Sequence, residues 1–250
     1  MVKIKQRLIQ DVPILEVVKE KFENDALPLV VFYHGWRSSK ELVLTQARKL
    51  AEKNIRVILP DAINHGQRHA DISSIPSFTF WNSIQGNLAE FSLLRNFYSQ
   101  RGLIKDKKIG VGGYSMGAMT TGALLTQHPE ITAATIIMGT PNLEAYAKLV
   151  REDAKRRNLY IPEDLQYLTS WIDHFDLNQH PEKLANRPVL FWHGTEDKRI
   201  PYQQSCDFFN RVHAQPFAQQ VAFITGYKAG HLVEIRLMDK IANFFEYYLE

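Results

Sequence analysis

Gly113-Tyr114-Ser115-Met116-Gly117 is the stretch of this sequence best suited to chemistry. It matches G-x-S-x-G, in which glycines let a strand turn abruptly into a helix and leave the serine in a strained, exposed conformation. The context is the one the pattern requires: an apolar run at residues 108–114 (KIGVGGY) precedes it and a helical run at 118–127 follows. Ser115 Oγ would then stand at a helix N-terminus, with the Met116 N–H directed at any oxyanion formed on an attacked carbonyl. A serine hydroxyl is a weak nucleophile at neutral pH and needs a base, itself held in the right tautomer by an acid. The chemistry expected is acyl transfer.

Of the nine histidines, His231 is the expected base. It lies in Lys228-Ala229-Gly230-His231-Leu232, a glycine-containing loop after the last weak strand and before the final helix. Asp197 is the expected acid, in the loop His193-Gly194-Thr195-Glu196-Asp197-Lys198-Arg199-Ile200-Pro201. Glu196 is the neighbouring alternative, and the register toward Pro201 favours Asp197. His34-Gly35-Trp36 follows another apolar run and offers the Trp36 N–H as a second oxyanion donor. His34 itself is read either as a holder of that loop or as a direct participant.

The elements that must carry these loops follow from periodicity. Short apolar runs at 29–33 (LVVFY), 55–59 (IRVIL), 133–138 (AATIIM), 188–192 (PVLFW) and, more weakly, 221–224 alternate with helical stretches near 43–51, 80–100, 202–212 and 236–248. That rhythm is α/β, with parallel strands joined by crossover helices. Ser38 and Glu41 have capping-box spacing before the first helix. Residues 62–78 read as a long surface loop, with Asp61 and His65-Gly66 shaping the rim of the site. From 141 to 184 the rhythm breaks into charged, aromatic, helical sequence, read as a cap inserted into a single domain spanning 1–250.

Ser115, Asp197 and His231 occur in the chain order of one known fold. With HGW, GYSMG, HGTEDKRIP and AGH in sequence, the chain resembles an α/β-hydrolase from about Leu27 to Glu250. It is similar to small bacterial esterases related to dienelactone hydrolase and the prolyl-oligopeptidase catalytic domain. Dienelactone hydrolases proper carry cysteine as nucleophile, where this chain has Ser115. The resemblance implies an α/β-hydrolase fold, with a mostly parallel sheet, helices on both faces and a small helical cap. It implies a serine carboxylesterase working through an acyl-enzyme without cofactor. A small peptidase or amidase of the same fold, and a binding protein that kept the fold without the chemistry, are the alternatives.

The cap aromatics Tyr146, Tyr160, Tyr167, Trp171 and Phe175, with Trp36, Trp81 and Met116, suggest an apolar and fairly small acyl pocket roofed by the cap. Trp81, Tyr167 and Trp171 are the expected substrate contacts. His65 and His69 with Asp61 and Asp71 lack metal-site spacing, so no metal is expected. Thirty basic against 27 acidic residues give a net charge of +3. The basic residues are scattered rather than striped, so neither nucleic acid nor membrane is an expected partner. A small ester molecule is, and self-association is left open. The single cysteine, Cys206, excludes an intrachain disulfide, and the N-terminus lacks the succession of a secretory signal, making cytoplasm the expected compartment.

Overall fold

The structure, a computed structural model, describes residues 1–250. Buried runs of β-branched and aromatic residues make the strands, and amphipathic or wholly buried segments between them make the helices. In chain order these are β1 (Val2–Ile9), β2 (Val12–Lys19), β3 (Leu27–Tyr33), α1 (Leu44–Glu52), β4 (Arg56–Pro60), α2 (Phe78–Ser99), β5 (Ile104–Tyr114), α3 (Met116–Gln127), β6 (Ala133–Ile137), α4 (Leu143–Arg156), α5 (Leu165–Leu168), α6 (Trp171–Phe175), β7 (Val189–Gly194), α7 (Tyr202–Val212), β8 (Val221–Gly226) and α8 (Ile235–Leu249). One sheet takes them in the order β1-β2-β4-β3-β5-β6-β7-β8. Strands β1 and β2 are antiparallel at one edge, and every pairing from β4 to β8 is parallel.

Parallel strands need a crossover, and helices on both faces cover the sheet. Alternate residues of β3 feed two cores. Val30 and Phe32 pack with Ala47 and Leu50 of α1 and with Ile241 and Phe245 of α8. Leu29, Val31 and Tyr33 face the other side, with α2, α3 and α7. This is the α/β-hydrolase architecture. No helix is long and apolar enough to cross a membrane.

Two local readings change. The Ser38–Glu41 capping box does not form, because the chain first makes a 3-10 turn over Lys40–Val43 with Ser39 at its N-cap. Ser39 Oγ donates to Glu41 Oε2 instead, at 2.6 Å, while Lys40 turns inward to a buried ion pair with Asp61 at 2.5 Å. The N-terminal residues, to which the sequence pattern assigned no element, form the β1–β2 hairpin. Between β6 and β7, residues 141–184 hold α4, α5, α6 and a 3-10 turn at Pro181–Leu184. Asn142 Oδ1 accepts the Ala145 N–H at 2.9 Å and starts α4.

Candidate active site

The loops after β3, β5, β7 and β8 meet at the C-terminal edge of the sheet, where open α/β sheets place their ligands. Ser115 joins β5 to α3 at φ 55°, ψ −112°, a conformation that L-residues rarely adopt. The glycines on either side make this turn possible. A Cβ on Gly113 would stand 2.4 Å from the Gly117 carbonyl carbon, and one on Gly117 2.3 Å from the Tyr33 carbonyl oxygen. Ser115 N–H donates to the Ile137 carbonyl at 3.0 Å, and the Met119 N–H donates to the Ser115 carbonyl at 3.0 Å. The strained residue is therefore gripped from both sides.

His231 reaches over the sheet to this serine. Ser115 O–H donates to His231 Nε2 at 2.9 Å, and His231 Nδ1–H donates to Asp197 Oδ2 at 2.6 Å. The loops that carry His231 and Asp197 are sewn together by backbone bonds. Thr195 N–H donates to the Gly226 carbonyl, Glu196 N–H to the Ala229 carbonyl, both at 2.9 Å, and Lys228 N–H to Thr195 Oγ1 at 2.9 Å. Glu196 is exposed, and its neighbour Asp197 is the carboxylate that faces His231.

Asp197 is saturated with donors. Its Oδ1 accepts the N–H groups of Arg199 at 2.8 Å and Ile200 at 3.1 Å, and Oδ2 also accepts His193 Nε2–H at 3.1 Å. Burial alone would push its carboxyl up. The hydrogen bonds from His193, His231 and the two backbone N–H groups outweigh burial and hold it well below the usual carboxylate range. The fully buried His193 was not singled out from the sequence, although it stands in the same HGTEDKRIP stretch. Its Nδ1 lies 3.3 Å from Ser205 Oγ, which donates to the Gly139 carbonyl at 2.7 Å. His193, packed against Ser205, thus braces Asp197 from behind.

The Met116 and Trp36 N–H groups make no hydrogen bond within the protein. Met116 opens α3, where helix geometry leaves the first N–H groups without partners. Gly35 lies against the nucleophile, its direction of Cβ ending 3.6 Å from Ser115 Cβ, so the Trp36 peptide borders the serine. Two histidines hold this loop. His34 Nδ1–H donates to the Gly35 carbonyl at 2.8 Å while its Nε2 accepts the Ala62 N–H at 3.1 Å. His65 Nε2 accepts the Arg37 N–H at 3.1 Å while its Nδ1–H donates to the Ile63 carbonyl at 2.9 Å. An acceptor nitrogen on each ring requires the neutral form, and burial agrees, pushing His34 down to about 4 and lowering His65 as well. His34 is a loop holder here. Neither Asp61 nor His65 lines the cleft; Asp61 is fully buried and accepts the N–H groups of Lys40 and Gln67 at 3.0 Å each, bracing the loop from below.

Ser115 and His231 open into a cleft of about 810 Å³, larger than the small pocket expected. Its apolar wall comes from Phe80 of α2, from Tyr146 and Val150 of α4, and from Ile72, Ile75 and Leu232. None of Trp81, Tyr167 and Trp171 lines it. Trp81 is 3% exposed and sits one layer behind, edge-on to Phe80 at 5.1 Å and to Tyr146 at 6.2 Å between ring centroids. Trp171 borders a separate hollow of about 320 Å³ with Leu88, His128 and Phe175. Tyr167, on the short α5, is 71% exposed. The cleft-facing positions are one residue earlier on α2, and on α4 rather than α5 and α6.

Comparison with known proteins bears on what such a site does. Residues 85–250 match the prolyl oligopeptidase family. The chain is similar to YitV of Bacillus subtilis (strain 168), which carries the word esterase in its name. The two are 34% identical over 258 residues, covering all of both chains. Esterase YjfP of Escherichia coli (strain K12) is 30% identical over 210 residues, 82% of either chain. TT1662 from Thermus thermophilus, at 18% identity, superposes with a TM-score of 0.72 over 100% of this chain and 99% of its own, so the fold is shared.

Proposed function

The chain belongs to the prolyl oligopeptidase family, and on that premise we propose that it is a serine carboxylesterase hydrolysing small-molecule esters. Ser115 attacks the ester carbonyl while His231 Nε2 takes its proton. Asp197 holds His231 with Nδ1 protonated and stabilises the imidazolium that forms. The oxyanion is held by the N–H groups of Met116 and Trp36, which need no reorganisation as the charge develops. His231 returns the proton to the leaving alcohol, then activates water to release the acid from Ser115. The observation that carries this reading is the unbroken hydrogen-bond line from Ser115 Oγ to His231 to Asp197, at 2.9 and 2.6 Å, on a serine in a strained strand-to-helix turn. The esterase names of YitV and YjfP support it.

Hydrolysis of p-nitrophenyl esters from acetyl to dodecanoyl tests it, with an aminoacyl p-nitroanilide alongside and Ser115→Ala as control. Turnover of esters that falls by at least about 10³-fold in the folded variant is expected. Retained esterase activity in Ser115→Ala would refute the assignment, and turnover of the anilide alone would make the enzyme an amidase. The volume of the cleft and its apolar wall favour medium acyl chains over acetyl.

A further inference from the structure

Building on the esterase reading, we propose that the ester turned over at Ser115 carries an anionic group, a carboxylate or a phosphate, held at the mouth of the cleft by Arg37, Arg157 and Arg199. The basis is the charge of the wall. Three guanidinium groups line the cleft, and no aspartate or glutamate does. Arg157 has Asp153 as a partner at 2.9 Å. Arg37 and Arg199 are exposed, and neither side chain has an ion-pair partner. In the sheet order, β5 and its Ser115 lie between β3, which leads to Arg37, and β7, which leads to Arg199. The two free cations therefore flank the nucleophile.

Arg37 also has a second place to hold an anion. With Ser38, Asn64, His65 and His69 it lines a hollow of about 300 Å³ that adjoins the cleft through Trp36 and Ile72, and this lining also lacks a carboxylate. Asp61, three residues before Asn64, is committed to Lys40 and to the Gln67 N–H, and Glu41, four residues after Arg37, is held by Lys40 and Ser39. Arg37 adopts φ 55°, a left-handed conformation that a long side chain disfavours. The His65 acceptor on its N–H helps keep it there. Strain of this kind collects at ligand clamps.

A neutral ester gains nothing from such a wall. An anionic one gains both steering, because a cleft of one sign with apolar walls concentrates its counter-ion, and charge-assisted hydrogen bonds to planar guanidinium groups. The exposed apolar residues at the mouth, Leu42 at 73% and Leu232 at 71% exposure, match the apolar body of a molecule whose charged end lies at the rim. Chemistry at the carbonyl is unchanged.

Two matched sets of esters test this. The first pairs p-nitrophenyl hexanoate with the p-nitrophenyl monoester of adipic acid, placing the anion on the acyl side. The second pairs phenyl butyrate with its para-carboxymethyl and para-phosphomethyl derivatives, placing a carboxylate or a phosphate on the alcohol side. Each is measured with the wild type and the Arg37→Gln, Arg199→Gln double variant, so that intrinsic reactivity cancels. In at least one set the anionic-to-neutral ratio of kcat/KM is expected to fall about tenfold or more in the double variant. Most of the change should lie in KM, and salt should erode the wild-type preference. A smaller fall in both sets overturns the proposal.

Calorimetric titration of Ser115→Ala with the same esters reads binding without turnover. Tighter binding of the anionic esters that disappears with the two arginines, beside no hydrolysis by the wild type, would sink the esterase reading and keep only the anion site at the mouth of the cleft. Hydrolysis without an anionic preference would do the reverse.

Discussion

Asp197→Asn is the substitution for which the site geometry specifies the most. Oδ1 accepts two backbone N–H groups, at 2.8 and 3.1 Å, and Oδ2 accepts His231 Nδ1–H at 2.6 Å. An asparagine must keep its oxygen on the two backbone donors, since the opposite flip would aim an NH₂ at both. The NH₂ then faces His231 Nδ1, which becomes an acceptor, and the ring proton moves to Nε2 opposite Ser115 Oγ. In that tautomer the imidazole cannot take the serine proton. Two losses add in the transition state: the charge-assisted bond to the imidazolium, about 1.5–3 kcal/mol, and the donor left facing a donor, about 1–3 kcal/mol. At about 1.4 kcal/mol per tenfold, kcat should fall between about 10² and 10⁴-fold, with KM little changed. His193 keeps the Ile200 carbonyl at 3.0 Å, so the variant should fold, which near-UV circular dichroism checks. Steady-state hydrolysis of a p-nitrophenyl ester within about tenfold of the wild-type kcat would refute the tautomer argument.

The same carboxyl titrates below its unfolded value near 3.9. It therefore contributes stability above that pH and loses the contribution as pH falls toward its folded value. Denaturant unfolding of wild type and Asp197→Asn should show a gap near neutrality that narrows below about pH 4. A gap that is constant with pH would mean that the carboxylate is not stabilised by its donors.

Further outcomes follow from the cleft and the loop beneath it. Trp81→Ala should cost about 3–5 kcal/mol in chemical denaturation and leave acyl-chain preference nearly intact, whereas Phe80→Ala should raise KM for longer acyl chains at a smaller cost in stability. The reverse pattern would exchange the roles of the two rings. His34, neutral in the fold and pushed down to about 4, binds fewer protons than the unfolded chain between that value and about 6.5. Stability should therefore decline as pH is lowered through this window, by up to about 3 kcal/mol from His34. His34→Gln should reduce that slope, and an unchanged slope would remove His34 from the account.

The serine, histidine and aspartate that the structure brings together were legible because each lies in a loop between a strand and a helix, and the Ser115 turn carries its own glycine pattern. The N-terminal hairpin was less so. In β1 the half-buried positions include Lys3, Lys5 and Arg7, and the exposed ones include Ile4 and Leu8. Hydrophobic alternation therefore reads the wrong face. The charges are accommodated by Glu23 and Glu16, of which Glu16 lies on the partner strand β2 and Glu23 just after it, and that pairing is invisible to a periodicity count. On α2 the pattern also gives no direction. Thr79, Ser83 and Asn87 are buried beside Trp81 and Ile84, so polar residues do not mark the outward face at the start of the helix, and the pattern does not tell which residue, Phe80 or Trp81, meets the cleft.

The roof of the cleft was decided by a contact between distant parts of the chain. Asp176, fully buried, accepts the Glu144 N–H at 2.8 Å through Oδ2 and the Asn178 N–H at 2.8 Å through Oδ1. One side chain thus ties the first turn of α4 to the end of the same inserted segment. With its start pinned by Asn142 and Asp176, α4 runs across the site and turns Tyr146 and Val150 into the cleft. The later α6 is left to pack Trp171 against Trp81 at 6.2 Å between centroids. Counting aromatics along residues 141–184 identifies a set of candidates of equal standing. Only the clamp between 144 and 176 selects Tyr146 from them, because it fixes which helix crosses the nucleophile. Which residues of the segment between β6 and β7 face the cleft is therefore set by its anchors, and an anchor of this kind is a buried carboxylate satisfied by backbone N–H groups, with no motif of its own.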